Sequence, residues 1–415
     1  MSSNLPRAEL DVSAMREHAG GTARNGKVLL LVSNLCAGGA QRVMLTLTGR
    51  MRQDGLAATL YYLYPFSPVY QEEAEKVGAR CVVRSGSRLV YYLTVVPMTL
   101  LTLWKEKPQV VMSTLNLPSL LALIGVKTML RGRCAVVLRE ANVFSHKKAS
   151  VGRRQKVIYW LLEKLYPAAD AVVAISQGVA RDLIENIGVP EERIRVVYNP
   201  ILTPELSERI RFPCSHGWLV RKSGPVFVAV GRLTHQKGFD LLLQAFARVK
   251  EKVADARLII AGTGEQLQRL ESMATALGLR NDVDFVGYIS NPLPLIREAD
   301  AFVMPSRWEG LGNVLVEALA CGTTPVVADC VGSPREVLEG GRYGYLVRPE
   351  DPESLAQGML SALEKPLAPE LLKARAADFS LDACYSKYLD VLGTLAGGDN
   401  PPALHCGHLS AKRQP

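Results

Sequence analysis

Short runs of Val, Ile, Leu and Ala alternate with longer segments whose apolar residues recur every three or four positions, and this rhythm continues along nearly the whole chain. Apolar runs without internal polar alternation fit strands covered on both faces, and the longer amphipathic segments fit the helices that cover them. The pattern predicts strands over residues 28–33, 57–64, 79–84, 109–113, 134–139, 171–176 and 193–198. A second series falls at 226–231, 256–261, 283–286, 301–304, 325–328 and 345–347. Strands alternating with helices imply parallel sheets joined by crossovers, so the expected fold class is α/β with two doubly wound, Rossmann-like domains.

Between the two series, 199–224 breaks the rhythm with Pro200, Pro204 and Pro213 among mixed charges, which reads as a linker. The expected organisation is a flexible N-terminus at 1–26, a first domain at 27–200, a linker at 201–224 and a second domain at 225–380. A C-terminal helix at 381–396 is expected to pack back toward the first domain, and 397–415 to form a disordered tail. Two such domains facing each other leave a cleft, and ligands of doubly wound sheets bind at the carboxyl ends of the strands.

Composition narrows this picture. A chain of 415 residues with 48% hydrophobic and 21% charged residues can bury full cores and is not disordered as a whole. The net charge of +9 is unevenly spread: residues 1–200 carry 26 Lys and Arg against 15 Asp and Glu, and residues 201–415 carry 23 against 25. Within the first half, 131–156 holds Arg131, Arg133, Arg139, Lys147, Lys148, Arg153, Arg154 and Lys156 against one acid, Glu140. A nucleic acid, an anionic membrane face, a phosphorylated substrate and a plain solvated basic face all fit this surplus. The eight cysteines are scattered without a CxxC pair, which argues against a disulfide scaffold or a structural zinc site. Residues 1–26 lack an apolar core of signal-peptide length, and the expected location is the cytoplasm. The longest apolar stretch, 89–104, is interrupted by Pro97 and falls short of the roughly 20 residues a membrane span needs. It fits a buried helix of an α/β domain, or an interfacial helix beside Arg88, Lys105 and Lys107.

Three loops carry candidate chemistry. In PSRWEGLGNVLVEALACG, residues 305–322, a strand gives way to a loop and then to a helix. Glu309 and Glu317 on one helix would lie about 80° apart, so a paired-carboxylate site is a poor reading. Glu309 in the loop and Glu317 inside the helix could instead reach one extended ligand from two points, with the helix-start amides facing an anionic group. In GRLTHQKG, residues 231–238, Arg232 and Lys237 occupy the loop after the first strand of the second domain, where two cations could clamp a diphosphate. In AGGAQRV, residues 37–43, Gly38 and Gly39 leave backbone amides uncovered at the first strand-to-helix turn.

Taken in order, these three motifs make the chain resemble the retaining glycosyltransferases of family 4, which have the GT-B fold, over roughly 27–395. The resemblance implies that Glu309 and Glu317 form the E-x7-E pattern, the first near the donor sugar hydroxyls and the second on the ribose. It implies that Arg232 and Lys237 hold the donor diphosphate, and that Gly38 and Gly39 approach it from the first domain. Gly310, Leu311, Gly312, Asn313 and Val314 would line sugar and phosphate, and the loop after Gly287 would meet the base. The catalytic candidates are then Glu309, Arg232, Lys237 and Glu140.

No metal and no cofactor beyond the nucleotide sugar is expected, because two cations and a helix start can neutralise a departing diphosphate. The D-x-D at Asp282–Asp284 precedes a strand and reads as a turn. In one departure, many relatives place a His after the fifth strand of the first domain, where this chain reads Leu138-Arg139-Glu140-Ala141-Asn142, with His146 farther along. Glu140 and Asn142 remain candidates for the acceptor or the sugar, and Glu140 could equally pair with a neighbouring Arg. Whether a carboxylate nucleophile or front-face attack operates stays open.

The expected reaction moves a hexose or N-acetylhexosamine, UDP-linked by family prior, to a glycan acceptor in surface polysaccharide or lipopolysaccharide assembly. The acceptor would be lipid-linked at the cytoplasmic face of the inner membrane, where the basic first domain could meet anionic lipid. Nucleic acid is not an expected partner, since no recognised binding motif accompanies the charge. Two alternatives stand beside this one. A GT-B-like module could bind nucleotide sugars without turnover, and a dinucleotide-dependent oxidoreductase could use Gly262-Thr263-Gly264, although Leu267 stands where the third glycine belongs.

Overall fold

The computed structural model describes residues 27–36, 38–65, 69–83 and 88–396, so the expected terminal segments 1–26 and 397–415 lie outside the described residues. The first domain contains β1 (Val28–Val32), β2 (Ala58–Tyr62), β3 (Arg80–Cys81), β4 (Val110–Thr114), β5 (Ala135–Glu140), β6 (Ala171–Ala174) and β7 (Ile194–Val196). They form one parallel sheet in the order β3-β2-β1-β4-β5-β6-β7. Alternate side chains of a strand point to opposite faces, and every residue of β1 is buried, so both faces are covered. Leu29 and Leu31 pack with Leu103, Leu121 and Val126 on one side. Val28, Leu30 and Val32 pack with Leu47 and with Tyr388 of the C-terminal helix on the other.

The second domain contains β8 (Val226–Val230), β9 (Arg257–Ala261), β10 (Val283–Gly287), β11 (Ala301–Met304), β12 (Trp308–Glu309), β13 (Pro325–Ala328), β14 (Val331–Gly332) and β15 (Tyr345–Val347). Six of these form a parallel sheet in the order β10-β9-β8-β11-β13-β15, while β12 and β14 pair separately. In both sheets the chain order reverses beside the first strand of the domain, β1 or β8, which opens a crevice at the carboxyl ends where ligands of such folds bind.

Three local features depart from the pattern reading. Strand β3 is a two-residue edge, shorter than the run predicted at 79–84. The β12–β14 pair was not predicted, because two residues carry no periodicity. The stretch 201–224, expected as a linker, contains the helices Pro204–Ile210 and Gly217–Val220, capped by Thr203 and His216, with Leu206 and Leu219 buried. It is fastened to the second domain where Arg297 donates to the Ile210 carbonyl and Asn291 to the Arg209 carbonyl. The helix Leu381–Ala396 returns to the first domain, burying Tyr385, Tyr388, Val391 and Leu392. There the fully buried Arg139 donates to Tyr388 Oη at 2.9 Å, to Thr114 and to Asn199.

Candidate active site between the two sheets

The loop after β11 builds most of the site. Gly312 takes a left-handed conformation (φ +70°) and turns the chain into the helix Asn313–Cys321, leaving the first helical amides open to the cleft. Glu309 therefore sits ahead of the helix, at the end of the two-residue strand β12 and not in an open loop, and Glu317 sits within the helix. The Glu309 carboxylate, 5% exposed, accepts from Lys237 Nζ at 2.5 Å and from Ser306 Oγ at 2.7 Å. Lys237 ends the short turn His235–Lys237, and Gly238 follows at φ +65° with only 2.1 Å between an added Cβ and the Pro305 carbonyl oxygen. The Lys237 loop and the Glu309 loop are thus wedged together by a position that excludes any side chain.

Arg232 is exposed, and no ion pair holds it among the described residues. Lys147, from the helix Phe144–Ser150 of the first domain, faces it: burial and the nearby Arg232 push the Lys147 ammonium below its ordinary pKa. A cation from each domain is therefore close enough to repel the other, with Glu265 partly offsetting them, and such a pair attracts a polyanion.

At the other end of the helix segment, Glu317 accepts from Arg42 Nη1 at 3.3 Å. Burial raises the Glu317 carboxyl, and Arg42 and Arg209 pull it back down. Arg42 lies on the helix that begins at Gly39, and Gly39 meets the helix start at Asn313, while Gly38 faces Gln41 of its own helix. A Cβ on Gly39 would lie 2.5 Å from Asn313 Nδ2. Three further pairs tie the sheets together: Ser176 Oγ donates to the Gly310 carbonyl (2.8 Å), Asn199 Nδ2 to Asn313 Oδ1 (2.7 Å), and Tyr198 Oη to Glu336 (2.6 Å). Added Cβ atoms on Gly310 and Gly178 would fall 2.4 Å from the Ala141 carbonyl oxygen and 2.1 Å from that of Gly332.

Residues 37–203 match the family model described as Glycosyltransferase Family 4, and residues 216–379 match the one described as Glycosyl transferases group 1. The chain belongs to the family-4 glycosyltransferases. It is 34% identical over 196 residues to an uncharacterized glycosyltransferase of Methanocaldococcus jannaschii, covering 45% of this chain and 49% of that one. It is 28% identical over 250 residues to the N-acetylgalactosamine-N,N'-diacetylbacillosaminyl-diphospho-undecaprenol 4-alpha-N-acetylgalactosaminyltransferase of Campylobacter jejuni, covering 60% of this chain and 66% of that one. The chain thus spans about half to two thirds of the length of these curated relatives. The crystal structure of Anabaena Alr3699/HepE in complex with UDP-glucose superposes with a TM-score of 0.71 at 22% identity, over 90% of this chain and 100% of that one. The two facing sheets are those of the GT-B fold.

In this family-4 chain, the turn after β5 answers the question left by the absent His. Glu140 does not pair with Arg139, which is occupied by Tyr388, Thr114 and Asn199. Its oxygens instead accept from the Ala141 and Asn142 amides (3.0 and 3.1 Å) and from Tyr166 Oη (2.6 Å), so the carboxyl shapes the turn that meets Gly310. His146, six residues on, is brought to the cleft, where its ring lies 5.8 Å from that of Trp308, with His235 on the same indole at 6.3 Å. Arg42, Lys147 and His146 are cleft residues to which the sequence assigns no role; Lys147 carries a signal as part of the basic cluster and His146 as the histidine that follows the fifth strand, and Arg42 carries none.

Burial lifts the Glu140 carboxyl from 4.5 up to about 7, against the pull of Tyr166 and the two amides. The folded state therefore holds a proton that the unfolded chain releases at lower pH. The resulting stability is complete below about 4.5 and is lost as pH rises through 7. Glu140→Gln keeps the neutral shape, and it should flatten the fall of melting temperature between these limits, a difference of about 3 kcal/mol by linkage. Calorimetry of both proteins across this range is the check, and identical pH profiles would contradict the assignment.

The remaining motifs have structural roles. Asp282 is held by Arg257 and Lys250, and Asp284 by His216. Gly262 and Gly264 would place Cβ atoms 1.8 and 2.3 Å from the carbonyl oxygens of Gly231 and Leu233. The glycines thus let the loop after β9 pack on the Arg232 loop, which accounts for them without a dinucleotide.

Proposed function

We propose that this chain is a retaining glycosyltransferase that moves a hexose or N-acetylhexosamine from a UDP sugar to a glycan acceptor carried on a lipid, in surface polysaccharide or lipopolysaccharide assembly. The observation that carries this reading is the convergence of Arg232, Lys237, Lys147 and the Asn313 helix start on one cleft that Glu309 and Glu317 also line. Breaking a bond to a nucleoside diphosphate builds negative charge on the departing phosphates, and fixed cations and open amides aimed at them lower the barrier. Lys237 pairs with Glu309 and is released to the phosphate as the sugar hydroxyls engage the carboxylate. Glu317 takes the ribose by displacing Arg42. A divalent ion is not required for this charge balance, so transfer should persist in chelator.

Support for uridine comes from the UDP-glucose complex of the Anabaena structure, and support for a lipid diphosphate acceptor from the Campylobacter relative. The test is a nucleotide-release assay with UDP-, GDP- and ADP-sugars and a lipid-linked glycan acceptor, with the product anomer read by NMR. Acceptor-dependent UDP release and a retained anomeric configuration are expected. Tight donor binding with no release on any acceptor would point to a binding module, and an inverted product would overturn the retaining assignment.

A further inference from the structure

The helix Arg88–Glu106 carries no charged residue between Arg88 and Lys105. A surface helix of a soluble domain normally turns a polar face to water. Here Tyr91, Val95, Thr99 and Leu103 are buried, and the opposite face is apolar too: Tyr92 is 73% exposed, Leu93 69% and Trp104 52%, with Val96 and Leu101 between them. The helix Asn116–Met129 contacts both this helix and Arg153–Leu165. These two extend the exposed apolar surface with Ile124 and Met129, and with Val157 (58%) and Trp160 (54%). Single exposed apolar residues are ordinary, but a surface running across three neighbouring helices marks a contact with something apolar.

The charges around it say what. Lys105, Lys107, Arg131, Arg133, Lys156 and Lys164 are all exposed, and none is in an ion pair among the described residues. The nearby acids Glu106 and Glu163 are already engaged by Lys27 and Lys148. An apolar centre with Trp and Tyr and a cationic rim complements the headgroup layer of an anionic bilayer, which each rim cation attracts. Two copies meeting through this face would bring like-charged rims together, which disfavours a homodimer. No helix among the described residues is long and apolar enough to cross a membrane, so the contact is interfacial.

We infer that this three-helix face seats the first domain on an anionic lipid bilayer, with Tyr92, Leu93, Trp104 and Trp160 in the headgroup layer. The helix Phe144–Ser150, which carries His146 to the cleft, packs on Arg153–Leu165, which follows two residues later, so one short stretch of chain links the site to the seated face. The inference deepens the lipid-linked acceptor reading, yet it is tested without any substrate, so failure of the transfer assay leaves it standing and the reverse also holds.

The experiment is co-sedimentation of the full chain with vesicles of phosphatidylcholine alone and of phosphatidylcholine with phosphatidylglycerol, together with tryptophan emission. Binding to the mixed vesicles with a blue shift is expected, weakened at least about tenfold by removing phosphatidylglycerol or adding salt. The triple variant Tyr92→Ser, Leu93→Ser, Trp104→Ser should lose at least about tenfold in vesicle affinity. Its melting temperature and its nucleotide release on a water-soluble acceptor should not change, because the three side chains point away from the core. Failure of the wild type to bind mixed vesicles, undiminished binding by the variant, or a solution dimer that the variant dissolves would each overturn the inference.

Discussion

Lys237→Ala is expected to lower transfer about a thousandfold and, in the same variant, to cost the fold about 3 kcal/mol. The two effects share one geometry. The Lys237 ammonium sits 2.5 Å from a Glu309 carboxylate that is itself almost wholly buried. Removing the cation leaves that carboxylate with the Ser306 hydroxyl but no compensating charge, and an uncompensated buried charge is among the costlier defects a core can hold. Removing both charges in Lys237→Ala, Glu309→Gln should return most of the stability, because a neutral amide can keep the Ser306 contact. It should return none of the rate, because the diphosphate clamp is still gone. Thermal unfolding and nucleotide release measured side by side separate the two effects. A single variant that keeps its activity, or a double variant that regains it, would remove Lys237 from the clamp.

The second large effect concerns a glycine without unusual torsion angles. Gly310→Ala places a methyl group 2.4 Å from the Ala141 carbonyl oxygen and 3.0 Å from Ile175 Cδ1. The closest of these neighbours is backbone of the opposite domain, anchored by the Glu140 turn and β6, so the Gly310 loop must move. A shift of about 1 Å in a loop that positions reacting groups can cost about a hundredfold in kcat/KM. Gly39→Ala is the informative contrast. Its Cβ meets Asn313 Nδ2, the end of a side chain that can yield at the expense of its single hydrogen bond from Asn199 and without moving backbone, and a loss of no more than about tenfold is expected. Steady-state kinetics of the two variants give the ranking. A Gly39 defect larger than that of Gly310 would mean that the two sheets do not meet at Ala141 during turnover.

Much of this architecture could be read from the chain. Unbroken apolar runs located the strands of both sheets because burial on both faces leaves no polar alternation to mask them. The separation of Glu309 and Glu317 excluded a shared helical face, and the glycines around Glu309 pointed to a loop there. Legibility failed where elements are very short or partners are far apart. The two-residue strands β12 and β14 have no pattern, and neither do the helices within 201–224. Arg42 and Glu317 are separated by 275 positions, and nothing local in AGGAQRV marks its arginine as their bridge. The basic cluster at 131–156 was visible as charge, but its members have divergent fates: Arg139 is buried behind Tyr388, Lys147 faces Arg232, and Arg131 and Arg133 lie on the outer rim.

The sequence by itself determined which segments become most of the strands and which turns bear glycine, cation and carboxylate, because these depend on local periodicity and residue chemistry. Only the tertiary structure decided that Gly39 meets Asn313, that Ala141 closes on Gly310, that His146 reaches Trp308 and that the helix Arg88–Glu106 is apolar on its outward side too. Those relations depend on how two rigid sheets are placed and on which face of each helix stays uncovered. Many weak contacts spread over the whole chain settle that placement together, and no single motif records it.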